Sequence, residues 1–214
     1  MFEEIFTKTA KQSLGQIGTS ELFRSAYLAG GTALALQFGH RESYDFDFFT
    51  PVKFDENIFV QRLAELFPSF RLERKSWGTI LGYIGDTRFS LFFYTYPLLF
   101  ESKEFMGVRI ADVRDIAAMK IAAVADRGTK RDFIDLYVMF VKNNILTLAE
   151  ALELYDKKFG TLAQNKVHIM KSLVYFNDAD NDELPRMIES IDWKEVKKFF
   201  EREQVGIAKK ILWA

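Results

Sequence analysis

The chain contains no cysteine and only two histidines, and these shortages exclude several classes of protein. Without cysteine there is no disulfide framework and no thiolate metal site, which suits a reducing compartment. The isolated His40 and His168 do not make a zinc site. No apolar run reaches the roughly 20 residues that a membrane span needs, and the first residues lack the apolar core of a secretory signal. We therefore expect a soluble cytoplasmic protein with no membrane partner.

The chain also lacks a basic excess, because its formal net charge is −1. This balance argues against a broad, charge-driven contact with nucleic acid, although a local basic face stays open. Hydrophobic residues make up 49% and charged residues 28% of the 214, which are globular values that allow one large domain or two small ones. The 22 phenylalanines favour an aromatic core over base-stacking platforms.

The most informative stretch runs from Tyr27 to Pro51. It predicts a short strand, a Gly-Gly turn, a helix to Phe38, and a second strand on which Ser43, Asp45 and Asp47 occupy every other position. Alternate side chains of a strand share a face, so these three would lie on one face and Tyr44, Phe46 and Phe48 on the other.

Asp45 and Asp47 are the candidate metal ligands. Two carboxylates side by side on a rigid strand repel each other unless a cation or proton lies between them, and Mg²⁺ is the natural hard cation. The alternative is a solvated strand edge. Because the flanking phenylalanines indicate a buried strand, we favour the metal site.

Upstream, Gly30, Gly31 and Thr32 form a candidate phosphate cradle. Glycine lets the backbone approach a ligand, and the start of a helix directs unpaired N–H groups at an anion. The alternative is an ordinary turn with Thr32 as helix cap. Ser43 lies on the metal face or bonds a neighbouring strand, and Arg41 is a phosphate candidate by position only.

In the rest of the chain, the spacing of hydrophobic residues changes at about Asp112, from a period of two residues to one of about 3.6. Before it, residues 70–77, 79–84 and 88–96 read as strands, with a hairpin turn at Gly85-Asp86. After it the pattern is helical. The expected helices span 112–125, 129–141, 146–158, 162–175, 184–190 and 194–203. We expect an α+β protein, with a small mixed sheet and flanking helices at 1–103 and a helical bundle domain at 104–214.

The order of three segments resembles a known family. G-G-T followed by S-x-D-x-D-F-F resembles the first motif of polymerase-beta-like nucleotidyltransferases, and the similarity to the AbiEii/AbiGii type of abortive-infection toxin continues in two later segments. These are KIAAVADRGTKRDFIDLY at 120–137 and KSLVYFNDAD at 171–180. The resemblance implies a polymerase-beta-like fold, Mg²⁺, a nucleoside triphosphate held between the two domains, and transfer of a nucleoside monophosphate to a hydroxyl. RNA, such as a tRNA end, or a protein is the implied acceptor, and a cognate antitoxin is an implied partner.

The resemblance also assigns roles in the second segment. Lys120 would reach the nucleotide phosphates, with Arg127 extending the clamp, whereas the residues alone also allow Lys120 to be a packing lysine whose amine reaches solvent. Asp132 or Asp135 would act as a base toward the acceptor hydroxyl or orient Lys120. The competing interpretation is a set of helix-face ion pairs, including a surface pair between Arg131 and Asp135.

The chain departs from the superfamily at one position. The superfamily places a third carboxylate on a neighbouring strand, but residues 88–96 contain no acid. Glu73, Asp86 and Asp132 are candidates to supply it. The absence also supports a catalytically silent nucleotide-binding or partner-binding module, and Asp-x-Asp alone would suit a metal-dependent glycosyltransferase.

Overall fold

The structure, a computed structural model, describes residues 1–160 and 163–212. The chain divides into two compact units, residues 1–112 and 113–214. Lys103, at the predicted domain boundary, lies inside a strand of the first unit. Within the described residues, no helix is both long enough and apolar enough to cross a membrane.

The first unit is a mixed α/β structure around a seven-stranded sheet in the order β3-β4-β5-β2-β1-β7-β6. β1 pairs with β7 and β2 with β5 in parallel, and the other neighbours are antiparallel. The elements are α1 (Lys8–Thr19), β1 (Tyr27–Leu28), α2 (Gly30–Phe38), β2 (Phe46–Thr50), α3 (Glu56–Leu66), β3 (Phe70–Ser76), β4 (Thr79–Ile84), β5 (Thr87–Phe93), β6 (Lys103–Phe105) and β7 (Val108–Ile110).

One face of this sheet forms the hydrophobic core. Phe46, Phe48 and Phe89 are fully buried there, and Phe23 packs on them with ring centroids 5.1 Å from Phe48 and 5.9 Å from Phe89. Phe59 of α3 packs against Phe23 in turn, at 5.6 Å. These phenylalanines are therefore core residues, as the composition indicates.

The strand predicted to carry both aspartates begins later than expected. β2 starts at Phe46, so Asp47 lies in the strand and Asp45 in the extended segment before it. The predicted alternation is confirmed from Phe46 to Phe48, since both phenylalanines are buried and Asp47 points to the other face. The short strands β6 and β7 were not expected, because three residues are too few to show a period.

The second unit is built of helices and connecting loops in its described part. Its helices are α4 (Val113–Asp126), α5 (Lys130–Tyr137), α6 (Leu148–Phe159), α7 (Ala163–Ser172), α8 (Asn177–Asn181) and α9 (Trp193–Leu212), and a π-helical turn, Val138–Lys142, extends α5. Phe133 centres an aromatic cluster, with ring centroids 5.1 Å from both Phe176 and Phe200.

One predicted helix of this unit is wrong and another begins outside the described residues. Residues 184–190 are not helical, because Pro185 has no N–H to donate and disfavours helical geometry at the residue before it. α8 lies just upstream instead. The predicted start at Leu162 falls outside the described part of the chain.

Candidate active site

The Gly-Gly pair forms the start of the first turn of α2, which follows β1, and approaches two candidate site residues. Gly30 has φ +70°, and a Cβ built on it would lie 2.9 Å from Oδ2 of Asp47. A Cβ on Gly31 would lie 2.2 Å from Nη2 of Arg41. The lack of a side chain at these two positions lets the Asp47 carboxylate and the Arg41 guanidinium lie close to the backbone.

Hydrogen bonds join the same turn to the segment before β2. The hydroxyls of Thr32 and Ser43 are 2.9 Å apart. Nη1 of Arg41 donates to the backbone carbonyl of Glu42 at 3.0 Å, and Arg41 is only 4% exposed. The residue at the N-cap of α2 is Ala29, which has no side-chain oxygen to accept from the first-turn N–H groups.

The structure thus brings together six of the residues predicted for this site. They surround the start of α2, where backbone N–H groups and a buried guanidinium provide positive charge beside a carboxylate. These residues are Gly30, Gly31, Thr32, Arg41, Ser43 and Asp47.

Asp45 and Asp47 suit a hard divalent cation by their chemistry and surroundings. Both carboxylates are half-buried, and the missing side chain of Gly30 leaves space at Oδ2 of Asp47. Carboxylate oxygens are the donors that Mg²⁺ prefers in proteins. In the described residues no three acidic, histidine or cysteine side chains gather as a metal-binding group, so this site rests on two carboxylates.

On the neighbouring strand β5, the residue directly opposite Asp47 is a serine and not a carboxylate. Ser90 of β5 lies directly opposite Asp47 in the sheet register and is 6% exposed. The proposed substitutes lie elsewhere in the fold. Asp86 is an exposed residue of the β4–β5 turn, and Glu73 lies on β3, three strands and about 14 Å from β2.

In the second unit, Lys120 and Asp132 form the centre of a buried ionic cluster. Nζ of Lys120 donates to Oδ1 of Asp132 at 2.8 Å and lies 2.6 Å from Oδ2 of Asp135. Asp132 also accepts from Thr129 Oγ1 at 2.6 Å and from Nε and Nη2 of Arg127 at 3.0 and 3.2 Å. Asp135 is fully buried, so the predicted surface pair between Arg131 and Asp135 is wrong: α5 turns Asp135 inward toward Lys120.

The cluster keeps Asp132 ionised. Burial raises the pKa of Asp132, but the charge of Lys120 and the hydrogen bonds and charge of Arg127 outweigh it and hold that pKa well below its ordinary value. Lys120 is 6% exposed, whereas the Arg127 side chain is 58% exposed. Arg127 is therefore the member of this cluster whose charge is accessible to solvent.

Two residues of these sites were not predicted as such. Ser90 could have been found, because it is the polar residue at an alternate position of an otherwise apolar strand, Phe89 to Phe93. Thr129 is the N-cap residue of α5, and its hydroxyl donates to the Asp132 carboxylate and not to a helix-cap contact. The signal for this contact in the sequence is that Thr129 lies three residues before Asp132.

Comparison with known proteins gives one family match and several similar folds. The family model described as "Nucleotidyl transferase AbiEii toxin, Type IV TA system" matches residues 12–79 and 86–206. The uncharacterized protein aq_aa25 of Aquifex aeolicus is 38% identical over 199 residues, which cover 92% of this chain and 94% of that protein.

Two solved structures share the fold at low identity. JHP933 from Helicobacter pylori has a TM-score of 0.56 at 20% identity, covering 98% of this chain and 94% of that one. MenT4, a nucleotidyltransferase toxin from Mycobacterium tuberculosis, has a TM-score of 0.55 at 15% identity, covering 89% of this chain and 81% of that one. Both similarities extend over the greater part of the chain, so they include both units.

Proposed function

Because the chain belongs to the AbiEii nucleotidyltransferase toxin family, we propose that it transfers a nucleoside monophosphate from a nucleoside triphosphate to a hydroxyl on RNA or protein. The observation that carries this proposal is the convergence of the Gly30-Gly31 turn, Arg41 and Asp47 at the start of α2. A triphosphate needs backbone N–H groups and a cation for its oxygens, and a metal-binding carboxylate nearby.

In this proposal each residue of the first unit has one role. The backbone N–H groups at Gly30 and Gly31 and the hydroxyl of Thr32, which Ser43 orients, hold phosphate oxygens. Arg41 neutralises their charge. Asp45 and Asp47 would hold Mg²⁺, which when bound neutralises phosphate charge and orients the α-phosphate.

The reaction itself is a displacement at the α-phosphorus. The acceptor oxygen forms a bond to that phosphorus while the bond to the β-phosphate oxygen breaks, pyrophosphate leaves, and the hydroxyl proton passes to solvent. The helical unit would contribute Lys120, Arg127 and Asp132. Since Asp132 has a lowered pKa, it is a poor proton acceptor, and we assign it to positioning Lys120 and Arg127 rather than to base catalysis.

Arg127 is the better candidate for a direct phosphate contact in that unit. The amine of Lys120 is enclosed by two carboxylates, whereas the guanidinium of Arg127 is held by Asp132 with more than half of its side chain exposed. As the family name indicates a toxin–antitoxin system, a cognate antitoxin protein is the expected partner.

Labelled transfer tests this function. Purified protein with Mg²⁺ and each α-labelled nucleoside triphosphate is incubated with total RNA or cell protein, beside the Asp45→Asn, Asp47→Asn variant. We expect wild type alone to label a macromolecule. Equal labelling by the variant would exclude the assigned metal site, and no Mg²⁺-dependent nucleotide binding by wild type would exclude the function.

The second candidate is a silent module that binds nucleotide without transferring it. Ser90 favours it, because a serine beside Asp47 cannot replace a carboxylate as an anionic metal ligand. Its expected result is Mg²⁺-dependent nucleotide binding with no labelled product from either acceptor pool. The family match favours nucleotidyl transfer over the metal-dependent glycosyltransferase that Asp-x-Asp alone allows.

A further inference from the structure

Three aromatic rings lie in series on the sheet face that carries Asp47. Tyr27, Phe49 and Phe92 are successive neighbours in the register of β1, β2 and β5. The ring centroids of Tyr27 and Phe49 are 5.9 Å apart with planes inclined by 22°, and those of Phe49 and Phe92 are 5.3 Å apart at 32°. Phe49 is two residues after Asp47 on β2, and alternate residues of a strand share a face. The series of rings is therefore beside the candidate metal site.

The series ends at a small side chain. On β4, the residue directly opposite Phe92 is Thr79, which has no ring to continue the series. Tyr27, at the other end, is 2% exposed, whereas Phe49 and Phe92 are half-buried. The series thus stops at a half-buried ring beside a short side chain. One more flat ring over Thr79 would extend it.

Sheet stability explains the contacts inside the series but not the exposure of its rings. Aromatic pairs on neighbouring strands stabilise a sheet, which accounts for the three rings lying side by side. Rings that serve only the core are enclosed, as Phe48 is on the opposite face of β2. Phe49 and Phe92 keep ring surface in contact with solvent. An accessible aromatic surface beside a phosphate site fits the base of a nucleotide.

Asp47 lies between the rings and the candidate phosphate cradle. The N–H of Ala29 donates to the carbonyl of Asp47 at 3.0 Å, and β1 is antiparallel to β2, so the start of α2 lies on the side of Asp47 away from Phe49. The order along β2 is therefore cradle, carboxylate, rings. A nucleotide has its phosphates at one end and its base at the other. The rise and spacing of the strands put the space between Phe92 and Thr79 about 10 Å from Asp47, which is within the length of a nucleotide.

We propose that the base of the donor nucleoside triphosphate stacks on Phe92, over Thr79, as the fourth ring of this series. The triphosphate lies at the start of α2 and the ribose lies across the face beside Asp47. This inference rests on the proposed function, because it concerns that reaction's donor. Stacking accepts purines and pyrimidines, since every base has a flat aromatic face.

The test compares a nucleotide with a ligand that has phosphates and no base. Isothermal titration calorimetry with Mg²⁺ is recorded on the full chain for ATP, CTP and inorganic tripolyphosphate. Phe92→Leu should weaken ATP and CTP binding about 5- to 100-fold, because base stacking is lost. Its affinity for tripolyphosphate should equal that of wild type. An equal loss for all three ligands would show damage to the cradle and overturn the proposal.

The next residue of the same strand provides a matched control. Phe93 is also half-buried, but it points to the opposite face and packs edge-on against Trp77 with ring centroids 5.6 Å apart. Phe93→Leu should bind ATP and CTP as wild type does. Phe92→Tyr keeps the ring and should also bind normally. An equal loss of ATP affinity in Phe92→Leu and Phe93→Leu would overturn the assigned stacking position.

Thr79 provides a second, independent test. Thr79→Phe supplies a fourth ring from the protein itself, at the position assigned to the base. It should weaken ATP and CTP binding about fivefold or more and leave tripolyphosphate binding unchanged. Thr79→Val has nearly the same size as the natural residue and should bind like wild type. Unchanged ATP affinity in Thr79→Phe would overturn the proposal.

The same titrations separate this inference from the proposed function. Wild type that binds ATP and tripolyphosphate, with Phe92→Leu and Thr79→Phe binding both equally well, would overturn the inference alone. Wild type that binds neither ligand with Mg²⁺ would count against the proposed function itself.

Discussion

Replacing Gly30 with alanine should damage the site much more than the fold, and Gly85→Ala provides the control. Both glycines have a positive φ, +70° and +60°, in the first unit. A left-handed conformation costs alanine about 1–2 kcal/mol of stability, which corresponds to a fall in Tm of about 2–8 °C for a chain of this length. Thermal unfolding should show a similar fall in the two variants.

The two variants should differ in activity because their surroundings differ. A Cβ at Gly85 meets no heavy atom within 4 Å, whereas a Cβ at Gly30 meets Oδ2 of Asp47 at 2.9 Å. An ordinary contact needs at least 3.4 Å, so the carboxylate oxygen must move by about 0.5 Å or more. Since a displacement of about 1 Å in a catalytic site costs up to 100-fold, we expect a 10- to 100-fold loss of Mg²⁺-dependent transfer.

The assay is labelled transfer at saturating nucleotide, with Tm measured on the same preparations. Gly85→Ala should keep wild-type activity. If Gly30→Ala were as active as Gly85→Ala at the same Tm, the position of the Asp47 carboxylate would be irrelevant to the reaction, and the assigned site would be refuted.

Two further predictions concern the buried ion pairs of the helical unit. Because the pKa of Asp132 is lowered on folding, its stabilisation is present above about pH 4 and is lost as the pH falls toward the folded value. The difference in unfolding free energy between wild type and Asp132→Asn should therefore shrink by about 1 kcal/mol between pH 7 and pH 3, and a constant difference in urea titrations would contradict it. Lys158 donates to Asp115 at 2.8 Å with both side chains fully buried. Asp115→Ala should cost about 3–5 kcal/mol in urea unfolding, while Asp115→Leu with Lys158→Met should cost far less, and similar costs in both would refute the uncompensated-charge explanation.

The spacing of residues within one stretch predicted those parts of the candidate site that are formed by residues close together in the sequence. The Gly-Gly turn, α2 and the alternation around Asp47 all follow from spacing within one short stretch, and the structure has them nearly as expected. The close approach of Arg41 to Gly31 and the position of Ser90 opposite Asp47 depend on how the turn folds back and how β2 pairs with β5. The spacing of residues within one segment cannot predict such contacts between segments.

The sequence does not show that three exposed arginines share the sheet face that carries Asp47, for the same reason. Arg71, Arg74 and Arg88 are spread over 18 residues and two strands among nearby acids, so the sequence shows no basic cluster. The bulge between Leu72 and Arg74 shifts the register of β3, so that Arg71 and Arg74, an odd number of residues apart, face the same side.

Lys120 shows how the environment of a predicted residue changes its expected role. On an apolar helix the usual outcome is an amine that reaches solvent. Here Asp132 and Asp135, three residues apart on α5, bind that amine inside the unit, and Arg127 donates to both oxygens of Asp132. Removing Lys120 would leave two buried carboxylates with less compensation, so its loss should lower stability as well as activity. Folding alone therefore explains a positive charge at Lys120. The exposed guanidinium of Arg127 is the feature of this cluster that indicates phosphate binding.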